Sequence, residues 1–479
     1  MPTDRTNQPT PSTPVEGAAV AEPRSGFGLR SLWRRLKGPF QETRPLSART
    51  ALQLRQILDD SARGAGGEIS ARDRAAEIAA IYATLSDAGK HAFFELLLER
   101  YGPDGASVEL AIAQYHSAAD PRAARSAALA LRRTLAAPSS RIFTHFNSLP
   151  DGVKFLVDMR TDLLRLVDQH PELATLDDEL RGLFVRWFDV GFLRLERITW
   201  DSPASLLEKL ISYEAVHEIR SWTDLRHRLD SDRRCYAFFH PRMPDEPLVF
   251  VEVALTRDIA SSVHDLLDEA KPAADPARAE VAVFYSISNT QKGLRGVSFG
   301  GFLIKRVVEL LKSELPKLDT FVTLSPLPDF RRWLNGRVAV QDPSLVPATA
   351  ADAICAAARK GDPAAALGVL LDQEDWHQHP EIVAALAPVL PPLAARYLLA
   401  EKQHERPLDP VARFHLGNGA RLERVHWLAD TSRRGLARAA GLMVNYVYPL
   451  DEIEENHEGY ARDGRVVASH AVRRLVRST

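Results

Sequence analysis

The sequence predicts an α+β protein: a helical amino-terminal domain followed by a mixed α/β domain that carries a helical insertion. Apolar residues recur at spacings of three and four from about residue 45 to 230, which is typical of amphipathic helices. Beyond this point, short runs of β-branched, aromatic and aliphatic residues alternate with helical segments. An Ala- and Leu-rich stretch from 351 to about 402 predicts the insertion. We therefore expect a disordered tail (1–44), a helical domain (45–230) and a mixed α/β domain (231–479).

Length and composition indicate a soluble globular protein with more than one domain. The chain has 479 residues, of which 45% are hydrophobic and 26% are charged. Its 61 basic and 63 acidic side chains give a net charge of -2, so no overall field favours nucleic acid or an anionic membrane. Two cysteines, Cys235 and Cys355, cannot form a disulfide framework, and a reducing compartment fits them best.

The tail and the longest apolar stretch both bear on membrane association. The tail is rich in Pro, Thr, Ser and Gly, a composition that predicts disorder. Residues 29–37 form a short basic amphipathic turn, but the acidic residues of the tail argue against a transit peptide. Ile382 to Ala400 is interrupted by three prolines and Arg396, so we expect no membrane-spanning helix there.

Helix start and stop signals divide the amino-terminal domain. Ser70 is predicted to open one helix, and Ser86 the next, which stops at Gly102. Asp151, after a proline, is predicted to begin another helix. No catalytic constellation stands out in this region, so packing or assembly into a homo-oligomer is its expected role.

The second domain begins with a predicted hairpin, Cys235 to Phe239 and Leu248 to Leu255. A strand from Val281 to Ile287, a helix from Phe299 to Leu311 and a strand from Thr320 to Leu324 follow. Three further strands are predicted at 412–416, 424–428 and 442–448.

A glycine-rich turn joins the strand at Val281 to the helix at Phe299. Gly293, Gly296 and the pair Gly300 and Gly301 allow backbone N–H groups to approach a ligand, and a helix start is a good site for pyrophosphate. Glycine turns before helices are also common where the backbone simply packs tightly. The turn alone therefore leaves both interpretations open.

Longer strings around this turn resemble known families. Arg295-Gly-Val-Ser-Phe-Gly300 fits the pyrophosphate loop of the acetyltransferase (GNAT) superfamily, except that Ser298 stands where the first signature glycine usually falls. That departure puts ordinary acetyl transfer in doubt. Phe284-Tyr-Ser-Ile-Ser288, Leu324-Ser-Pro-Leu-Pro328 and Phe414-His-Leu-Gly-Asn-Gly419 resemble malonyl-CoA decarboxylases, and the resemblance covers most of residues 70–450.

This resemblance implies a GNAT-like catalytic domain that converts malonyl-CoA to acetyl-CoA and carbon dioxide, a reaction of fatty acid metabolism. The catalytic serine and histidine of the family correspond to Ser325 and His415, with the serine as proton acceptor and the histidine as donor. Ser286 and Tyr448 correspond to residues that line the active site. The CoA loop corresponds to Arg295, Gly296, Val297, Ser298, Phe299, Gly300 and Gly301.

The expected chemistry fits these residue types. Loss of carbon dioxide leaves negative charge on the thioester enolate, which requires oriented donors and an acid. Because the thioester is itself an electron sink, we expect no metal, biotin, pyridoxal or thiamine cofactor. His415, with an ordinary pKa near roughly 6.5, is predicted to donate the proton near neutral pH. From the residues alone, Ser325 could instead close a turn or cap a helix, and His415 could be a satisfied core histidine.

Rival functions use the same fold. One is an acyl-CoA N-acyltransferase, and the other is a regulator that binds acyl-CoA without catalysis. His377 and His379 have no third ligand at suitable spacing, so a solvated loop is expected there and no metal site. The chain ends Arg477-Ser478-Thr479 where animal members of the family often carry a peroxisomal Ser-Lys-Leu address, and we expect a cytoplasmic protein.

Overall fold

A computed structural model describes residues 44–297 and 302–476. The predicted disordered tail, apart from Arg44, lies outside the described residues. In this part of the chain eight α-helices precede the first strand. They are α1 (Ala48–Arg63), α2 (Glu68–Ala83), α3 (Asp87–Tyr101), α4 (Gly105–His116), α5 (Pro121–Thr134), α6 (Pro138–Phe146), α7 (Gly152–Leu166) and α8 (Ala174–Trp187).

The helix boundaries test the predicted caps. Ser86 accepts a hydrogen bond from the N–H of Gly89 at 3.2 Å, and α3 ends before Gly102, as predicted. Asp151 is the residue before α7, which is also as predicted. The prediction for Ser70 is wrong, because α2 begins at Glu68 after the extended residue Gly67, and Ser70 lies within its first turn.

The second part of the chain is built on one large sheet. Its strands are β1 (Arg194–Ile198), β2 (Arg233–His240), β3 (Met243–Thr256), β4 (Val281–Asn289), β5 (Thr320–Thr323), β6 (Ser325–Pro326), β9 (Arg421–His426) and β10 (Met443–Val447), while β7 (Lys402–Gln403) and β8 (Arg406–Pro407) form a separate pair. The helices between strands are α9 (Ala204–Tyr213), α10 (Trp222–Arg228), α11 (Val263–Leu266), α12 (Phe302–Glu314), α13 (Phe330–Ala339), α14 (Ala348–Ala358), α15 (Pro363–Asp372), α16 (Pro380–Leu386), α17 (Leu390–Leu399), α18 (Pro410–Gly417) and α19 (Arg433–Ala439), and α20 (Ile453–Asp463) and α21 (His470–Val476) follow β10.

The strand order is β1-β2-β3-β4-β5-β10-β6, and β9 pairs with β10. β4 and β5 are parallel and are connected through α12, whereas the other pairs are antiparallel. The predicted hairpin is β2 and β3, and the predicted strands at 281, 320 and 442 are β4, β5 and β10. The predicted α+β fold, with helices first and a mixed sheet second, is confirmed.

One predicted strand is a helix. Residues 412–416 lie in α18, because Asp409 accepts hydrogen bonds from the N–H groups of Val411 and Ala412, and Pro410 occupies the first helical position. The strand predicted at 424–428 is displaced to 421–426. This correction matters for function, because α18 carries His415.

The helical insertion lies between β6 and α18 and consists of α13 to α17. Within the described residues, Pro380–Leu399 has the length and composition of a membrane span, but 61% of it is buried within the protein. The chain breaks there into α16 and α17, and Leu386, Leu390 and Leu393 are fully buried in the main core. This burial fits a core element of the insertion.

The main hydrophobic core is continuous from the amino-terminal helices to the insertion. It includes Leu58 of α1, Phe184 of α8, Phe284 of β4 and Leu393 of α17. Two smaller clusters cover the other face of the sheet, under α9, α10 and α11. β4 is therefore covered on both faces, which fixes the position of its side chains at the candidate site.

Candidate active site

A small cavity lies where β4 and β5 separate. The two strands pair only from Val281 to Phe284, and β4 has a bulge at Tyr285, the residue without a partner on β3. Beyond that point β4 keeps β3 as its neighbour, and the edge that faced β5 borders the cavity. The cavity has a volume of about 240 Å³ and is lined by Val216, Phe284, Tyr285, Ser286, Ile287, Asn289, Ser325, Pro326, Pro410, Val411, Phe414 and His415.

Ser325 lies on β6, directly after the point where β5 turns away from β4. Its Oγ donates a hydrogen bond to Oγ1 of Thr323 at 2.9 Å and lies 3.1 Å from Nε2 of His415. Asp329, and not Ser325, precedes α13. The structure thus brings together two predicted catalytic residues that are 90 positions apart in the sequence.

His415 lies in the last turn of α18, which Asp409 caps at its beginning. Its Nδ1 is 2.7 Å from the hydroxyl of Tyr448, and its ring stacks on Tyr446 with centroids 4.6 Å apart. Both ring nitrogens therefore have partners. His415 is a satisfied buried histidine and at the same time part of the cavity wall.

The hydrogen bonds define the tautomer of His415. Ser325 has one hydroxyl proton, which it donates to Thr323, so it must accept from Nε2–H of His415. A neutral imidazole then has a bare Nδ1, which accepts from the hydroxyl of Tyr448. A directed chain runs from Tyr448 through His415 and Ser325 to Thr323.

Burial determines the charge state of His415 and Tyr448 in this series of hydrogen bonds. Removal from water lowers the pKa of His415 to about 3. Burial also raises the pKa of Tyr448 well above its usual value. His415 is therefore neutral at physiological pH, and the expectation of an ordinary histidine pKa near neutrality is wrong.

The buried, neutral His415 should make the protein sensitive to acid. Because the folded pKa is about 3 and the ordinary value is 6.5, the unfolded state binds the proton first, and stability is lost as the pH falls below about 6.5. This group alone should lower the free energy of unfolding with a slope that reaches about 1.4 kcal/mol per pH unit, which amounts to roughly 2.3 kcal/mol between pH 6.5 and 4.5. Between these pH values, the free energy of unfolding in urea should fall by about this amount more in wild type than in His415→Gln, because buried His217 destabilises both proteins alike. An equal loss in both proteins would contradict it.

Part of the predicted CoA loop lies against the amino-terminal domain. A short 3-10 turn, Lys292–Leu294, precedes Arg295, Gly296 and Val297, and these three residues line a cavity of about 890 Å³ whose opposite wall is α7. Gly296 has φ +79°, a backbone conformation that favours glycine. The predicted loop residues Ser298, Phe299, Gly300 and Gly301 lie outside the described residues.

Arg160 of α7, which no sequence motif marked, holds this loop. Its guanidinium donates to the carbonyls of Gly293 and Arg295 at 2.7 and 2.8 Å, and forms two hydrogen bonds with Asp177 at 2.7 and 3.2 Å. Arg160 is only 1% exposed. At Gly293 an added Cβ would lie 1.8 Å from the carbonyl oxygen of Val157, so only glycine fits there. The helical domain thus contributes to the shape of the loop.

The other predicted site residues, Ser286 and Tyr448, line two different cavities. Ser286 is buried on β4 and lines the cavity of about 240 Å³ beside Ser325 and His415 (the acyl-sized cavity). Its hydroxyl donates a hydrogen bond to Glu214, a second residue that the sequence did not mark. Tyr448 also lines a further cavity of about 660 Å³ beside α12.

Two groups of histidines bear on metal binding. His379 is exposed and precedes α16, and His377 lies in the short turn before it, in agreement with the predicted loop. Within the described residues, one group of three possible ligands has its ligand atoms within 4.8 Å of one another: His91, His170 and Glu172. None of its members lines the acyl-sized cavity.

Comparisons with known proteins identify the family. The family model described as "Malonyl-CoA decarboxylase C-terminal domain" matches residues 191–479, well over half of the chain. The chain belongs to the malonyl-CoA decarboxylase family. The model of the family's N-terminal domain matches residues 101–188.

Relatives and solved structures of the family agree with this assignment. The mitochondrial malonyl-CoA decarboxylase of Rattus norvegicus is 41% identical over 357 residues, 72% of each chain. The crystal structure of malonyl-CoA decarboxylase from Rhodopseudomonas palustris superposes with a TM-score of 0.80 at 43% identity, covering 88% of this chain and 98% of that one. The crystal structure of malonyl-CoA decarboxylase from Agrobacterium vitis superposes with a TM-score of 0.79 at 43% identity, and the match covers 88% of this chain and 99% of that one. The predicted family is confirmed.

Proposed function

We propose that the protein decarboxylates malonyl-CoA to acetyl-CoA and carbon dioxide, with Ser325 and His415 delivering the proton. The observation that carries this proposal is the contact between Ser325 Oγ and His415 Nε2 in the wall of a cavity of acyl-group size. Family membership supplies the substrate, and the site supplies a neutral proton donor beside a confined acyl group.

The reaction requires one bond cleavage and one proton transfer. The bond between the malonyl carboxylate and the α-carbon breaks, carbon dioxide leaves, and the electron pair forms the thioester enolate. The Ser325 hydroxyl turns from Thr323 to the α-carbon and gives it the proton, while Ser325 accepts a proton from Nε2–H of His415. His415 takes a proton from Tyr448 at Nδ1 in the same movement, so the imidazole remains neutral.

Tyr448 must regain its proton as it gives one up, because burial makes a free phenolate costly. Its position in the wall of the cavity beside α12 supplies a route from solvent. The scheme therefore needs no charged imidazole, which fits the low pKa of His415.

The CoA portion is proposed to follow the free edge of β4 toward the loop at Arg295. Beyond Phe284 this edge borders the cavity without β5, and an extended chain with amide groups can pair with such an edge. Arg295, Gly296 and Val297 lead from there toward the start of α12, where backbone N–H groups suit a pyrophosphate. Malonyl-CoA is the proposed substrate, and no separate cofactor is required by the scheme.

The test is product formation from malonyl-CoA by the purified protein in D2O. Equal amounts of carbon dioxide and acetyl-CoA should form, and the new methyl group should carry one deuteron, because the enolate takes its proton from exchangeable groups. Transfer of the acyl group to an added amine would favour the acyltransferase. CoA binding without any product would favour the regulator.

Two further aspects of the proposal concern assembly and location. We propose that the helical domain forms a homo-oligomer, since Ile69, Leu110 and Leu135 are large apolar side chains that are exposed on it. The protein is proposed to act in the cytoplasm, whereas the Rattus norvegicus relative is a mitochondrial protein. Sedimentation of the purified protein tests the first proposal, and localisation of the tagged full chain tests the second.

A further inference from the structure

Glu214, which follows α9, places a carboxylate against the back of the acyl-sized cavity. Each of its two oxygens lies 2.8 Å from Oγ of Ser286, and Oε2 lies 3.2 Å from Oγ of Ser288. The N–H groups of Val216 and His217 donate to Oε1 at 2.7 and 2.8 Å. Four donors from two separate segments thus converge on one carboxylate, an arrangement that only an acceptor can satisfy.

This contact fixes the polarity of Ser286. A hydroxyl group has one proton, and a carboxylate can only accept, so the proton of Ser286 is directed to Glu214. Ser286 is 2% exposed and lines the cavity, to which it therefore presents lone pairs. Its role toward a ligand is that of an acceptor.

The charge of Glu214 is not cancelled by an ion pair. The nearby buried cation, Arg228, directs its donors to Asp224, to Glu252 and to the carbonyls of residues 217 and 218. Among the described residues, no lysine or arginine lies within ion-pair distance of Glu214. Glu214 itself lines the neighbouring cavity, together with Arg220, Arg228, Arg433 and Arg434, so it reaches the acyl-sized cavity through the lone pairs of Ser286.

A malonyl carboxylate has no proton to offer a lone pair and is repelled by negative charge. The opposite wall holds Ser325, whose hydroxyl proton goes to the neutral Thr323 hydroxyl and not to a carboxylate, so a ligand carboxylate can replace Thr323 as its acceptor while His415 Nε2–H still donates to Ser325. An amide N–H of the CoA arm, or a water molecule, is the partner that suits Ser286. The two walls therefore distinguish the ends of the substrate.

We propose that Glu214 is a positioning residue that makes Ser286 a hydrogen-bond acceptor and so directs the malonyl carboxylate toward Ser325 and His415. The inference rests on the proposed function, because it assigns an orientation to that substrate. It adds a specificity determinant to the reaction, contributed by the segment after α9.

Glu214→Gln weakens the hold on the Ser286 proton. The N–H groups of Val216 and His217 retain the amide oxygen at the position of Oε1, so the amide NH2 takes the position of Oε2 and donates to Ser286. Ser286 then faces one neutral acceptor in place of a carboxylate, and its hydroxyl proton can turn to the cavity. Malonyl-CoA should then bind more tightly relative to acetyl-CoA, by roughly threefold to tenfold. The kcat of Glu214→Gln should fall by roughly tenfold, since the carboxylate is drawn to the wrong wall.

Dissociation constants for malonyl-CoA and acetyl-CoA are measured by calorimetry in proteins that also carry His415→Ala, so that substrate is not consumed. Glu218→Gln is the matched control, because it removes an exposed carboxylate from the same segment and should leave the affinity ratio unchanged. In a Ser286→Ala background, Glu214→Gln should no longer change the ratio, since Glu214 acts through Ser286. If Glu214→Gln changes the dissociation constants of malonyl-CoA and acetyl-CoA by the same factor, the inference is wrong, and Glu214 only connects the segment after α9 to β4.

Ser286→Ala alone keeps the inference testable if Glu214→Gln fails to fold. An acceptor Ser286 contributes nothing to the malonyl carboxylate, so the ratio should change less than about twofold. A selective loss of malonyl-CoA affinity of about tenfold would mean that Ser286 is a donor and would sink the inference. The absence of carbon dioxide release by wild type would reject the proposed function separately, because the affinity ratios are measured without turnover.

Discussion

His415→Ala is expected to lower kcat for malonyl-CoA decarboxylation by about a thousandfold, while the affinity for acetyl-CoA changes less than about threefold. General acid catalysis contributes roughly 10²- to 10⁴-fold, and His415 is the only ring nitrogen donor in the wall of the cavity among the described residues. The variant removes the source of the proton but leaves β4 and the CoA loop unchanged. Steady-state kinetics and acetyl-CoA calorimetry give the two quantities.

Companion variants separate the parts of the proton chain. Ser325→Ala should lower kcat by a similar factor, because it removes the group that passes the proton from His415 to the α-carbon. Tyr448→Phe should cost less, roughly ten- to a hundredfold, since it frees the tautomer of His415 but keeps Nε2 in place. His379→Ala, at an exposed histidine of the insertion, is the control and should leave kcat unchanged. A folded His415→Ala protein with a kcat within tenfold of wild type would exclude His415 as the proton donor.

The proposed catalytic pair, Ser325 and His415, was predicted through resemblance and not through local pattern. A serine before a proline and a histidine between apolar residues are ordinary features, and nothing local indicates that they touch. Their contact depends on the pairing of β6 with β10 and on the position of α18, which are tertiary facts. The low pKa of His415 likewise follows from complete burial, which no local sequence feature reveals.

Residues 412–416 were predicted as a strand but form part of helix α18, and the sequence contains the signal for this helix. Ala-Arg-Phe-His-Leu alternates between apolar and polar residues, which indicated a strand. Asp409 followed by Pro410 is a helix-start signal directly before it, and this signal decides the structure. The strands at 235, 248 and 281 were predicted correctly, because their β-branched and aromatic runs have no competing cap.

Arg160 and Glu214 lie beyond what the sequence could predict. Each is a charged residue within or after a helix, where a solvated position is the usual outcome. Each acts through a contact with a distant segment, Arg160 with the loop at Gly293 and Glu214 with β4. The prediction that the helical domain serves packing or assembly therefore omitted its contact with the candidate CoA loop.

Arg160→Gln is expected to raise the KM for malonyl-CoA by roughly ten- to a hundredfold with kcat within about threefold of wild type. The guanidinium joins the carbonyls of Gly293 and Arg295, so its loss removes the contacts that hold this part of the candidate CoA loop against α7. The acyl-sized cavity is lined by other residues and should keep its geometry. An effect on binding, with little effect on chemistry, is what distinguishes a loop-positioning residue from a general loss of folding.

Removing Arg160 also leaves Asp177 without its partner in a partly buried position, and breaking a buried pair costs about 3–5 kcal/mol. Asp177→Asn provides the companion variant, because it removes the ion pair but keeps the two bonds to the loop, so its KM should stay close to wild type. The KM of Arg160→Lys should lie between those of wild type and Arg160→Gln, since a single ammonium group cannot form all the hydrogen bonds that the guanidinium makes with both carbonyls and Asp177. Arg186→Gln, at an exposed position of α8, is the control. If KM rises equally in Asp177→Asn and Arg160→Gln, the effect belongs to stability of the helical domain, and the contact with the loop does not position it for CoA.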